Sequence, residues 1–173
     1  MRRIGRPTLA AMTVTAAVAC SSGPTAPAPG RHGRPAHACS MLTSDEVEDI
    51  IGTPGPYTGA HEDKDPSGNP VWGCTWGTSL SYADIRELAR ANFRMAISAR
   101  DDVVRKLDGI GDQAYLGRAK DGGGNPYVYF KAAGHYYHAE ITIDRRAVST
   151  DHADEAAKDE QELARLIADR LTS

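Results

Sequence analysis

Residues 127–143 read YVYFKAAGHYYHAEITI, and this stretch decides the fold. Tyr127 to Lys131 and Tyr136 to Ile143 are runs rich in aromatic and β-branched residues, with Ala133-Gly134 at the place of a turn. Period-two alternation in the second run puts Tyr136, His138, Glu140 and Thr142 on one face and Tyr137, Ala139, Ile141 and Ile143 on the other. Upstream, Gln113 to Leu116 looks extended, and Asp121-Gly122-Gly123-Gly124-Asn125 is a turn, so the three segments form a β-meander.

Toward the N-terminus, strand-like pieces at Tyr57 to His61, Val71 to Trp76 and Leu80 to Ile85 are separated by turn residues. Trp72, Cys74 and Trp76 alternate onto one face, which reads as core. Before them, Thr43-Ser44-Asp45-Glu46 has the form of a capping box, with Leu42 and Val47 as its hydrophobic staple. Val47, Ile50 and Ile51 then share a helical face, and Gly52 ends the helix. A second helix fits Arg86 to about Arg100, with Ile85, Leu88, Ala89, Phe93, Ala96 and Ile97 at helical spacing. The last helix, Asp151 to Leu171, carries a stripe of Ala153, Ala156, Leu163, Ile167 and Leu171. The expected class is α+β: one antiparallel sheet flanked by helices, in the order α-βββ-α-βββ-α, an order that suggests a duplicated unit without a residue-level repeat.

The chain has 173 residues, enough for one domain, and a mean hydropathy of −0.45. Its net charge of −3 and pI near 6.1 supply no electrostatic grip on a phosphate backbone, so nucleic acid is not an expected partner. Arg2, Arg3 and Arg6 precede a charge-free run from Pro7 to Ala19, the layout of a signal peptide over residues 1–19, too short to stay as a membrane span. Ala17-Val18-Ala19-Cys20 resembles a bacterial lipobox, although Ala17 stands where that motif most often has Leu. The same triplet also reads as an ordinary A-x-A cleavage site, which would release a secreted protein. The expected anchor is lipid on Cys20, and two or more acyl chains at about 0.8 kcal/mol per buried methylene hold a protein stably at a membrane.

Residues 20–38 then form a Pro- and Gly-rich tether with little to bury, long enough to space the domain roughly 20–50 Å from its anchor. Five of the 20 basic residues, and none of the 23 acidic ones, precede Cys39, so the domain of residues 39–173 carries a net charge of −8. His32 and His37 in the tether read as solvated residues rather than metal ligands. With Cys20 set aside, Cys39 and Cys74 are an even pair in an oxidising compartment, and a disulfide is the default, worth about 4 kcal/mol in the chain-entropy model.

Cys39-Ser40-Met41-Leu42-Thr43 running into Glu46-Val47, then Cys74-Thr75-Trp76, then Gly109-Ile110-Gly111-Asp112-Gln113-Ala114-Tyr115 together resemble the uncharacterised DUF3558-type secreted lipoproteins of actinobacteria. The similarity runs from Cys39 to Leu171. It implies a cell-envelope lipoprotein with one small α+β domain and a cysteine pair of the family's type, and it carries over no catalytic residue.

Three constellations invite chemistry. Asp63-Lys64-Asp65-Pro66-Ser67-Gly68-Asn69 matches the front of a calcium loop, but position twelve is Cys74 rather than Glu, and a polar hairpin turn is the simpler reading. Gly122-Gly123-Gly124 lacks the Lys-Ser/Thr and helix of a phosphate cradle. His138 and Glu140, with His135 nearby, offer an acid/base pair for an envelope hydrolase, against the simpler reading of a solvated sheet face. Tyr127, Tyr129 and Tyr136 can form a cross-strand aromatic patch, read as core unless exposed, in which case it is the candidate surface for an envelope protein or polymer. No cofactor or metal is called for. The resulting expectation is a lipoprotein on the extracytoplasmic face of the cell membrane with a non-enzymatic binding domain. The rivals are a hydrolase using His138 and Glu140, or a small-molecule carrier with a pocket between helix and sheet.

Overall fold

Most extended segments from residue 70 onward alternate apolar side chains with polar or aromatic ones, so these strands each offer one oily face, and a common sheet buries those faces together. The computed structural model describes residues 34–51, 59–78, 80–120, 125–143 and 153–173. The expected signal peptide, Cys20, the tether as far as residue 33, Gly52, Tyr57, the Gly122-Gly123-Gly124 turn and Asp151 lie outside these residues.

After a 3-10 turn at Ala38–Ser40 come helix α1 (Ser44–Ile51) and strands β1 (Ala60–Lys64), β2 (Pro70–Gly77) and β3 (Tyr82–Leu88). Helix α2 (Arg90–Ala96) follows, then β4 (Asp102–Leu107), β5 (Gln113–Ala119), β6 (Tyr127–Ala132) and β7 (His135–Thr142), and finally α3 (Ala153–Thr172). The seven strands form one antiparallel sheet in the order β1-β2-β3-β7-β6-β5-β4. The α+β class and the single antiparallel sheet are therefore as the sequence indicates. The order is α-βββ-α-ββββ-α, so the two halves are a three-stranded and a four-stranded meander rather than a repeat.

The core lies on one face of the sheet. Cys74, Trp76, Ala83, Ile85, Tyr137, Ala139, Ile141, Val128 and Phe130 point there, under α1 and α3. The capping box forms as read: the Glu46 N–H donates to Thr43 Oγ1 (3.3 Å), and the Thr43 N–H donates to Glu46 Oε2 (2.9 Å). Both staple residues, Leu42 and Val47, are buried. The same Glu46 carboxylate receives the Arg170 guanidinium of α3, which holds its pKa down at about 2 and ties the two helices together.

Cys39 and Cys74 are joined by a disulfide, with their Cα atoms 5.0 Å apart. Order extends upstream of Cys39, into the expected tether. Ala38 is fully buried, the Trp72 indole N–H donates to the Pro35 carbonyl (2.9 Å), and the Arg34 guanidinium lies over the Trp72 ring and pairs with Glu87.

Several boundaries differ from the sequence reading. The helix placed at Arg86–Arg100 is only Arg90–Ala96, because β3 continues to Leu88, where it still pairs with Tyr136. Pairing with β2 as far as Arg86 and with β7 as far as Leu88 outweighs the helical spacing of Ile85 and Leu88. β4 was not foreseen. It is an edge strand whose Val103, Arg105 and Lys106 are exposed, so it lacks a clear apolar alternation, and its charges blunt the free edge. In α3 the buried stripe runs through Ala157, Glu160, Leu163, Ala164, Ile167, Ala168 and Leu171, with Ala157 in place of Ala156.

The surprise in that stripe is Glu160. The β6–β7 ladder ends where Tyr127 meets Glu140, and the next amide, that of Ile141, donates to Glu160 Oε1 (3.2 Å). Burial pushes the Glu160 carboxyl up to about 10, so at neutral pH it is an uncharged acid. The unfolded chain releases this proton near 4.5, and the folded chain retains it, so stability from this group declines as pH rises through that interval. Glu160→Gln should therefore melt close to the parent at pH 5 and above it at pH 8. Melting curves with the same pH slope in both proteins would overturn this assignment.

Candidate functional site

The alternation that buries one face of the sheet assembles the other from polar and aromatic side chains. Pairing sets the rows: Thr75 opposite Asp84, Asp84 opposite Glu140, Arg86 opposite His138, His138 opposite Tyr129, Glu140 opposite Tyr127, and Tyr129 opposite Tyr115. This face crosses β1 to β5 and backs directly onto the core.

Two glycines open space on it. A Cβ on Gly73 would sit 2.5 Å from Asp63 Oδ2, so the missing side chain lets Asp63 fold from β1 across β2. There Asp63 Oδ1 lies 3.2 Å from the Thr75 hydroxyl oxygen, whose one proton it shares with Asp84, and Oδ2 lies 3.8 Å from Arg86 Nε. A Cβ on Gly117 would overlap the Tyr127 ring, which lies flat across β5 and donates its hydroxyl to Asp102 on β4. Burial, aided by Asp102, pushes the Tyr127 phenol above its usual range.

Asp84 is the anchor of the cluster. It is 1% exposed, and Arg86 grips it through Nε and Nη2, each at 3.0 Å, while Thr75 donates to Oδ2 at 3.1 Å. A buried carboxylate held by a bidentate guanidinium is fully compensated. Asp63 is raised above its ordinary pKa, first by burial and then by the neighbouring Asp84. His138 is pushed down to about 4 because burial penalises the imidazolium more than Asp84 favours it. Its Nδ1 is 3.9 Å from Asp84 Oδ1, beyond hydrogen-bond reach, so Asp84 holds Arg86 rather than orienting the histidine. On the other side of the ring, Tyr129 lies 4.9 Å away, and Tyr127 is 4.9 Å from Tyr129. The result is a row of tilted rings, Tyr127-Tyr129-His138, bordered by Glu140 and the Asp84-Arg86 pair.

The chain matches no known family model, no curated protein and no solved structure at a significant level.

The sequence placed Tyr127, Tyr129 and Tyr136 as core unless exposed, and the structure puts all three on the face opposite the hydrophobic core, half-buried. Tyr137, their neighbour, is the one that enters the core. Tyr136 is set apart from the other two. Phe93 of α2 covers it at 4.9 Å and also touches Tyr115 and Tyr129, making a small secondary apolar cluster under α2. His138 and Glu140 share the face as read. His138 is 14% exposed, so it is partly covered rather than solvated. His135 lies on the opposite side, its Nδ1 2.6 Å from Glu87.

Asp63-Asn69 forms the hairpin turn between β1 and β2. Asp65 Oδ1 accepts the amides of Ser67 (2.8 Å) and Asn69 (2.9 Å), and Oδ2 accepts the Asn69 side chain (3.0 Å). Among the described residues no group of three or more His, Cys, Asp or Glu side chains is arranged to hold a metal, and no helix is long and apolar enough to cross a membrane. The Asp63-Thr75-Asp84-Arg86 network was missed by sequence reasoning. Its signal was the alternation of Ala83 and Ile85 with Asp84 and Arg86, hidden once Arg86 was taken as the start of a helix.

Two outcomes follow from this geometry. Gly117→Ala displaces Tyr127 from β5 and should cost on the order of 1–3 kcal/mol in urea unfolding. Tyr127→Ala in the same chain should recover part of that loss, and strictly additive effects would count against the packing described. The His138 imidazole should stay neutral in an NMR titration until pH falls toward about 4. Because the unfolded chain takes up this proton first, stability from this group is lost as pH falls from 6.5 toward that value.

Proposed function

We propose that this chain is an exported lipoprotein, anchored through Cys20 to the extracytoplasmic face of the cell membrane, whose domain binds an envelope protein or polymer without transforming it. The signal-like N-terminus, the Cys39–Cys74 disulfide suited to an oxidising compartment, and the resemblance to DUF3558-type lipoproteins support the location.

The observation that carries the binding reading is the ring row Tyr127-Tyr129-His138, laid on a sheet face and bordered by charged groups whose mutual contacts fix them in place. Such a face presents aromatic area at low entropic cost, with polar groups around it, as recognition surfaces do. The engagement of Asp84 with Arg86 weighs against the hydrolase reading, since it leaves His138 without the carboxylate that would orient it.

Cys20→Ala should move the protein from the membrane fraction to the soluble fraction of the cells that make it, and retention in the membrane would sink the anchor. In that background, the protein should sediment with isolated envelope fragments, and Tyr129→Ala should reduce retention by about tenfold at a temperature where its melting curve shows it folded. Equal retention of the two proteins would overturn the assignment of the face.

A further inference from the structure

The geometry points to a second binding site, an open groove between α3 and the β4–β5 edge that takes a single-chain lipid carboxylate, a fatty acid. It shares no residue with the polar–aromatic face. α3 packs along β6 and β7, and the core-side surface of β4 and β5 continues beyond it. What remains there is a cavity of about 560 Å³ lined by Val103, Arg105, Leu116, Arg118, Ala157, Lys158 and Gln161. That volume lies within the range of about 300–1,000 Å³ typical of small-molecule sites.

The lining has a definite chemistry. β4–β5 pairing sets Val103 beside Arg118 and Leu116 beside Arg105, so apolar and cationic side chains alternate across the floor. Leu116 is buried, while Val103 is 59% exposed, one of the few large apolar side chains open to water in the described structure. Arg105 and Lys158 are exposed at the rim. None of the lining residues is acidic, although the domain from Cys39 onward carries a net charge of −8. Of the α3 carboxyls, Glu160 is held uncharged by burial, while Asp159, beside Lys158 in the helix, interacts with Lys158, Glu155 and Glu162 and lies outside the lining. Glu155 and Glu162, about one turn on either side of Lys158, are exposed. Arg118 has a contact of its own within the fold, so Arg105 and Lys158 carry the recognition.

A lining that is cationic at Arg105, Arg118 and Lys158 and apolar at Val103, Leu116 and Ala157 suits an amphiphile with an anionic head. The fork of a guanidinium fits a carboxylate, and the stems of Arg and Lys extend the apolar wall.

The test uses the full chain with Cys20→Ser, oxidised at Cys39 and Cys74, so that no attached acyl chain competes. Laurate, dodecanol and acetate are compared by calorimetric titration below the laurate micelle threshold. Laurate should bind saturably at one per chain, with dodecanol and acetate each weaker by about tenfold or more. Arg105→Ala with Lys158→Ala should weaken laurate by about tenfold and leave melting unchanged, and Val103→Asp should do the same by charging the floor. No saturable laurate binding, dodecanol binding as tight as laurate, or binding unchanged in both variants would each overturn the proposal. Failure of the envelope-retention experiment would leave this result untouched.

Discussion

The pairing of β3 with β7 is the constraint on which the rest of the structure depends. It joins a three-stranded meander to a four-stranded one across about fifty residues of chain, so it is the contact with the largest loop-closure cost in the sheet. Its register runs from Tyr82 opposite Thr142 to Leu88 opposite Tyr136. In that register Ala83 and Ile85 meet Ile141 and Ala139 inside the core, while Asp84 and Arg86 meet Glu140 and His138 outside it. A slip of one residue would carry Asp84 and Arg86 into the apolar layer, at a cost of several kcal/mol per unpaired charge. The hydrophobic core and the candidate site therefore specify the same alignment from opposite sides.

Around that central pair, each face is completed by different means. On the core side α1 and α3 supply apolar stripes, and their mutual tie runs through Glu46, which serves the α1 cap and the Arg170 ion pair at once. On the other side no long helix among the described residues supplies a stripe. Short α2 covers one end through Phe93, and elsewhere large side chains lie down over glycines, Asp63 over Gly73 and Tyr127 over Gly117. Side chains that fold over the sheet in this way bury polar groups against each other and leave Tyr127 and Tyr129 half-buried.

The disulfide and the last residues of the tether act together at the opposite end of the chain. Cys39 is fastened to the middle of β2, while Arg34 and Pro35 dock on Trp72 two residues from Cys74. Arg34 also meets Glu87, which in turn holds His135, so the segment entering the domain is clipped to β2, β3 and β7. The chain upstream of Cys39 is thereby held to the domain from Arg34 onward rather than leaving it at the disulfide.

By itself the sequence determined the class of fold, the capping box, the meander around Ala133-Gly134, the alternation of β7, and the partnership of Cys39 with Cys74. Each is a local pattern or a count, legible because its physics acts within a few residues or, for the cysteines, because reading Cys20 as an anchor left a single pair to join. Only the tertiary structure decided where β3 stops, that 102–107 is a strand, and that Tyr127 and Tyr129 lie away from the core while Tyr137 lies in it. Those outcomes depend on which strand lies alongside and which face a helix covers, so local propensity is outvoted by ladder hydrogen bonds and burial. The Asp63-Asp84-Arg86 cluster and the protonated Glu160 were likewise invisible in one dimension. Residues far apart in the chain create both environments, and the desolvation that sets their charge exists only once the sheet has closed over them.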